Sequence, residues 1–303
     1  MKKVLYLFMF SGICAGLMSL ESCQSSKKLT APKILKFNFE NGKVYEYEIN
    51  QSMNQEIMGM QTKINASTFF SLEVVENDDS LKTMRVTYSR IKMKMDVSSM
   101  HLDLDTDNPK QNADKNDDDS SPTDKLSKIM SSIKGKQFMI KVNHEGKILA
   151  LTGFDKISKS ISDSMKLKGE EAQQMTEEFN QQFNGESTRF QLENVLNIYP
   201  NKVVKVGDSW ERNFTSTGLI QGMYHLKYTV KKFDGDNVSI SQVGIFNHNE
   251  DELGINGKIT GDLVISMKSG LVISEDKDLT ITMETGGQTF DIKGKVTING
   301  KEL

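Results

Sequence analysis

Tyr224-His225-Leu226-Lys227-Tyr228-Thr229-Val230-Lys231 alternates apolar and polar residues without a break. A period of two puts Tyr224, Leu226, Tyr228 and Val230 on one face of a strand and the polar set on the other, the pattern of an antiparallel sheet with one covered face. The run ends at Asp234-Gly235-Asp236-Asn237, a hairpin turn. Beyond it Val238 and Ile240 share a face and then Val243 and Ile245 do, so the apolar parity is expected to change midway along this strand. Leu263, Ile265 and Met267 lead to the turn Ser269-Gly270. Leu279, Ile281 and Met283 alternate, as do Phe290 and Ile292.

The same period governs the chain from Lys33 to about Val97. Tyr45, Tyr47 and Ile49 share a face, Phe70, Leu72 and Val74 follow, and Asn77-Asp78-Asp79-Ser80 is a turn cluster. Met84, Val86 and Tyr88 then lie on one face, whereas Ile91, Met93, Met95 and Val97 have the opposite parity. A β-bulge near Ser89-Arg90 accounts for the switch and would bend the strand. Only 4 prolines interrupt the chain, which suits long strands.

Between the two strand-rich regions the period changes. Residues 103–123 are acidic and poor in apolar side chains, so they are expected to form a disordered loop. Leu126, Ile129, Met130 and Ile133 have helical spacing, with Thr123 or Asp124 as cap. Phe138 to Val142, the turn His144-Glu145-Gly146-Lys147 and Ile148 to Leu151 make a hairpin. Phe154, Ile157, Ile161 and Met165 start a second helix, which Ala172, Met175, Phe179 and Phe183 extend; Phe190, Val195 and Leu196 suggest one more. Meander, helical middle, meander is an α+β order: long, curved antiparallel meanders with the helical segment packed on one face, half-barrel-like. Residues 33–303 are expected to form this single domain.

The start of the chain reads as an address. Met1-Lys2-Lys3 precedes about 15 uncharged residues, Val4 to Met18, which is the n-region and h-region of a secretory signal and short of the ~20 apolar residues a spanning helix needs. Leu20-Glu21-Ser22-Cys23 resembles the lipobox of bacterial lipoproteins, although Glu21 stands where a small or neutral residue is usual. The chain holds 2 cysteines, Cys14 and Cys23, and Cys14 lies within the signal. Cleavage before Cys23 therefore leaves one thiol, unable to form an internal disulfide, and lipidation gives it a role. Residues 1–22 are read as the signal peptide, Cys23 as the lipid attachment site, and 23–32, with Lys27 and Lys28, as a polar tether.

Tyr199-Pro200-Asn201-Lys202-Val203-Val204-Lys205-Val206-Gly207-Asp208-Ser209-Trp210 is the most distinctive stretch. With Asn41-Gly42-Lys43-Val44-Tyr45-Glu46-Tyr47, Gly146-Lys147-Ile148 and Gly261-Asp262-Leu263 followed by Ser269-Gly270-Leu271, it resembles a family of uncharacterised bacterial cell-envelope lipoproteins. The resemblance covers most of the mature chain and brings no activity with it. Gly207-Asp208 reads as a tight turn and Trp210 as a large apolar residue opening a strand. The architecture is also similar, by analogy, to periplasmic lipoprotein carriers, which wrap a curved sheet over helices around an apolar cavity.

Charge and motifs exclude much. Net charge is −3, and arginine is confined to Arg85, Arg90, Arg189 and Arg212, so no basic face offers itself to nucleic acid. His101, His144, His225 and His248 lie in no metal-site spacing. Asp103, Asp105, Asp107 and Asp114 fit positions of a calcium loop, but Asn108 replaces its glycine, Asp114 its glutamate, and Pro109 spoils the turn. Met58 with Met60 and Met93 with Met95 have the softness for Cu(I), yet alternation makes each pair core filler. No nucleophile elbow, phosphate loop or dinucleotide fingerprint occurs. The expectation is a membrane-tethered protein of the cell envelope, at the outer membrane, without catalytic residues, metal or cofactor. It would bind or scaffold; the alternative is a carrier or sensor of a lipid or other apolar ligand held between sheet and helices. A Cys23→Ser variant should lose both labelling by a palmitate analogue and sedimentation with membranes, and retention of both would refute the anchor.

Overall fold

A computed structural model of the chain describes residues 33–57, 60–78, 80–97, 100–108, 122–164, 185–216, 222–250, 253–285 and 288–303. Cys23, Asp114, Met58 and positions 165–184, where helix was expected, lie outside them.

The first meander comprises β2 (Val44–Ile57), β3 (Met60–Asn77), β4 (Leu81–Val97) and β5 (Met100–Asp105), preceded by the short β1 (Lys33–Leu35). The middle holds α1 (Pro122–Ile133), β6 (Gln137–Asn143), β7 (Ile148–Thr152), α2 (Phe154–Ser164) and α3 (Gly185–Leu196). After β8 (Lys202–Val204) comes the second meander: β9 (Ser209–Ser216), β10 (Gly222–Asp234), β11 (Asn237–Glu250), β12 (Leu253–Ser266), β13 (Val272–Thr285) and β14 (Gln288–Glu302). The structure is thus mostly antiparallel sheet with three short helices.

Both meanders belong to one 12-stranded sheet, ordered β7-β6-β4-β3-β2-β14-β13-β12-β11-β10-β9, with β5 paired to β4 off this path. The join is β14 against β2, in register from Ile292 opposite Gln55 to Glu302 opposite Tyr45. Among the described residues β7 and β9 do not pair with each other, so the sheet is open and not a closed barrel. It is nevertheless curled. Eight strands run from β4 to β10, and laid flat they would separate those two by about 33 Å. Tyr88 of β4 and Tyr224 of β10 instead reach one cavity.

The bulge read near Ser89-Arg90 is present: Phe69 pairs with Arg90 and Phe70 with Tyr88, leaving Ser89 unpaired. It lets Met84, Val86, Tyr88 and Ile91 serve one core despite their change of parity. The parallel expectation for β11 is overturned. Gln242 and Phe246 are buried while Val243 and Ile245 are 49% and 46% exposed, so parity holds along the strand. The irregularity lies in β10, where Val230 pairs with Ile240 and Lys232 with Ser239.

The acidic segment also needs correction. Its first residues extend β5, because Leu102 and Leu104 alternate with the acids and are buried on the core side. Asp103 pairs with Lys94 at 2.7 Å, and Asp105 takes a two-pronged hydrogen bond from Arg90 at 2.9 and 2.6 Å. Composition suggested disorder, but burial of two leucines and cross-strand ion pairing oppose it. The rest of that segment, 109–121, is outside the described residues.

The core gathers the inner face of the sheet with Met130 and Ile133 of α1, Ile157 and Ile161 of α2, and Leu192, Val195 and Leu196 of α3. β1 pairs with β8, and the strap that follows buries Phe37 and Phe39, the latter stacked on Tyr45 with centroids 3.8 Å apart. The turn between β6 and β7 docks on α3: the Ile148 amide donates to Glu193 Oε1 at 2.8 Å, and Gly146, at φ 84°, lies where a Cβ would overlap the Leu196 carbonyl. Gly135 has a similar φ of 75° with open space around it. Gly135→Ala should therefore cost only the left-handed strain, about 1–2 kcal/mol. Gly146→Ala should lower the urea midpoint clearly more, since it also displaces the end of α3; equal losses would contradict this packing.

Candidate functional site

Alternation along β13 sets the site. Leu279 and Ile281 face inward, and the same parity carries Lys277 and Glu275 to the covered face, while Asp276 and Asp278 face out. Lys277 Nζ lies 3.1 Å from Glu275 Oε1, and the two side chains are only 12% and 4% exposed. A strand that places two charges on its buried face breaks the apolar–polar alternation, and such breaks concentrate at functional positions.

Register places other polar groups beside the pair. Gly261 of β12 sits opposite Gln242 on one side and opposite Lys277 on the other. On the far side Lys277 faces Val296, and Val296 faces Gln51 of β2. One row across the sheet therefore reads Tyr228, Gln242, Gly261, Lys277, Val296, Gln51. Gly261 matters for its missing side chain, because a Cβ there would sit 2.7 Å from the Lys277 Cβ. Gln242 is 2% exposed; its Nε2 donates to Tyr228 Oη at 3.4 Å, and its Oε1 accepts no hydrogen bond among the described residues. A buried acceptor left unmatched costs about 1–3 kcal/mol.

Above this row lies a cavity of about 220 Å3 between sheet and α3. Phe70, Tyr88, Phe190 and Tyr224 give it aromatic walls; Leu226, Ile259, Leu279 and Ile298 give it aliphatic ones. Among the described residues Lys277 is the one charged residue on its lining, and Gln51 and Gln242 are among the polar ones. Phe190 leans on Tyr224, centroids 5.0 Å apart. Dry walls with a few convergent polar groups are the composition of a small-molecule pocket.

Trp210 supports the floor from outside the cavity. It stacks on Tyr228 at 5.6 Å, and its indole N–H donates to the Ile198 carbonyl at 2.7 Å. The distinctive stretch around it is accordingly structural, and the Gly207 turn at φ 91° feeds its strand.

The other candidates are not brought together. His101 is exposed on β5 against Asp96, His144 lies in the β6–β7 turn, His225 on the outer face of β10 beside Asn213, and His248 on β11. Asp105 and Asp107 both engage Arg90, and Asp107 also engages Lys134 at 2.7 Å. The Arg90 guanidinium holds the Asp105 carboxyl well below its usual range. Met93 and Met95 pack on the core. Among the described residues no group of three or more potential ligands stands close enough to hold a metal ion.

Burial raises two tyrosines of the wall, Tyr88 and Tyr224, to about 12; at Tyr88 a hydrogen bond with Thr188 works against burial. Unfolded, each ionises near 10. The unfolded chain thus gives up these protons first, so stability present below pH 10 should fall as pH rises towards and through 12. Urea midpoints measured over that window should decline, and Tyr224→Phe should make the decline shallower; an unchanged slope would contradict its burial.

Among solved structures, similarity is remote. The chain is similar to lipovitellin, described in terms of its lipid–protein interactions, at 8% identity and TM-score 0.49, over 87% of this chain and 25% of that one. It spans about a quarter of lipovitellin's length. An outer membrane channel from Pseudomonas putida F1 aligns at 6% identity and TM-score 0.18, over 90% of this chain and 100% of that one. A beta-barrel-like protein of a domain of unknown function, DUF1849, from Brucella abortus aligns at 8% identity and TM-score 0.17, over 90% and 100%. Curated proteins give no match. A family model does match, over residues 79–272, well beyond half of the sequence and across α3, β10, β11, β12 and the start of β13. The chain belongs to DUF6263, a family of unknown function.

Proposed function

We propose that this protein is a membrane-tethered lipoprotein of the cell envelope, anchored through Cys23, that carries or senses a small apolar ligand in the cavity beneath α3 and performs no catalysis. The cavity carries the reading. Its walls are largely aromatic and aliphatic, its one lining charge among the described residues is already matched by Glu275, and residues of α3 and of the sheet line it together.

Volume limits the guest. A dry cavity of about 150 Å3 takes a benzene ring, and drug-sized ligands fill roughly 300–1,000 Å3. About 220 Å3 therefore suits one ring or a stretch of a single acyl chain, and it is too small for a two-chain phospholipid. A non-catalytic role is supported by the locked Lys277–Glu275 pair and by the histidines, none of which is among the described residues lining the cavity. The cationic start, the uncharged run and the motif ending at Cys23 support the address.

Native mass spectrometry of protein lacking the anchor, followed by solvent extraction, tests the reading. A single-chain or single-ring species should co-purify, and the apolar dye N-phenylnaphthylamine should bind and gain fluorescence. Leu279→Trp, which fills the cavity from its floor, should abolish both. A protein that neither carries such a species nor binds the dye, or a Leu279→Trp variant that binds as well as the parent, would overturn it.

A further inference from the structure

The polar row in the cavity floor specifies what the head of the ligand must be. Resting on the reading of the cavity as a ligand site, we propose that it selects a neutral, single-chain amphiphile with a hydroxyl head, lodged between Gln242 and Lys277, and rejects the corresponding carboxylate.

Hydrogen-bonding capacity comes first. Gln242 Oε1 is buried and has no donor among the described residues, so it calls for a ligand group that donates. Lys277 Nζ is a donor with three protons, one of which faces Glu275 at 3.1 Å. The two residues stand on the same row with only the side-chain-free Gly261 between them. A hydroxyl has one proton to give and two lone pairs to receive, so it satisfies Gln242 and Lys277 together. A carboxylate has no proton to give and leaves Gln242 Oε1 unmatched.

Charge points the same way. Lys277 brings one positive charge to the lining and Glu275, 4% exposed, returns one negative. The floor is therefore neutral before any ligand enters. A carboxylate head would add a second anion beside Glu275, share one lysine with it, and leave a net buried charge, which low-dielectric surroundings strongly oppose. A hydroxyl head adds none.

Competition against N-phenylnaphthylamine with decanol and with decanoate at neutral pH reads the selection. Decanol should displace the dye at concentrations roughly tenfold or more below those needed with decanoate, the scale of one poorly compensated buried charge. Glu275→Gln leaves Lys277 as an unmatched cation and should reverse the order, with decanoate the better competitor. The double variant Glu275→Gln/Lys277→Met removes both charges, is the easier of the two to fold, and should keep the preference for decanol. Decanoate competing as well as decanol against the parent or the double variant, or an unreversed order in a folded Glu275→Gln variant, overturns the proposal. Failure of the dye to bind at all refutes instead the apolar site on which it rests.

Discussion

The pairing of β14 with β2 is the constraint on which the molecule depends. Each meander alone is a sheet with two open edges, and only this ladder converts them into one. Its register sets Ile298 beside Ile49 and Val296 beside Gln51, all four of which line the cavity. The last backbone amide of the chain, at Leu303, extends it by donating to the Val44 carbonyl at 3.0 Å. The closing loop is nearly the whole domain, but closure entropy grows slowly, by about 0.6 kcal/mol per doubling of length. Distance along the chain is therefore no thermodynamic obstacle to the join, and curl on both sides brings β4 and β10 around a common space.

Within that space, apolar packing and polar chemistry are separated by rows. The row through Leu226, Ile259 and Leu279 is dry, and the next, through Gln242, Lys277 and Gln51, is not. A buried ion pair is a weak source of stability, since two well-packed apolar residues in its place are often neutral or better. Retaining Glu275 and Lys277 on the covered face of β13 is thus poorly explained by folding alone. On the proposed reading, recognition of a polar head by an otherwise apolar cavity would give the pair a purpose, and Gly261 keeps the lysine and the glutamine from being walled apart.

The strands, the Ser89 bulge, the β6–β7 hairpin and the helix faces were legible because each rests on local periodicity. Two things were not. Joining both meanders into one sheet depends on residues about 250 positions apart, for which no local signal exists. The site was hidden for a different reason: Gln242, Glu275 and Lys277 are polar, and polar residues in alternating strands are read as outward. Extending the Leu279–Ile281 parity two steps back would have found Lys277 and Glu275. Val243 and Ile245 misled in the opposite sense, because two β-branched residues on an exposed face imitate a core stripe. Asp103 and Asp105 misled through composition, although Leu102 and Leu104 between them carried the strand period.

β14 is the keystone of the sheet, seated between β13 of one meander and β2 of the other. Without it the two half-sheets would present facing edges, on β2 and β13, open to wrong partners. A protein lacking β14 would lose the middle of its sheet and, with Val296 and Ile298, part of the cavity wall. The hollow is thus a property of the assembled arch and of neither half: it takes shape only once β14 is seated between them.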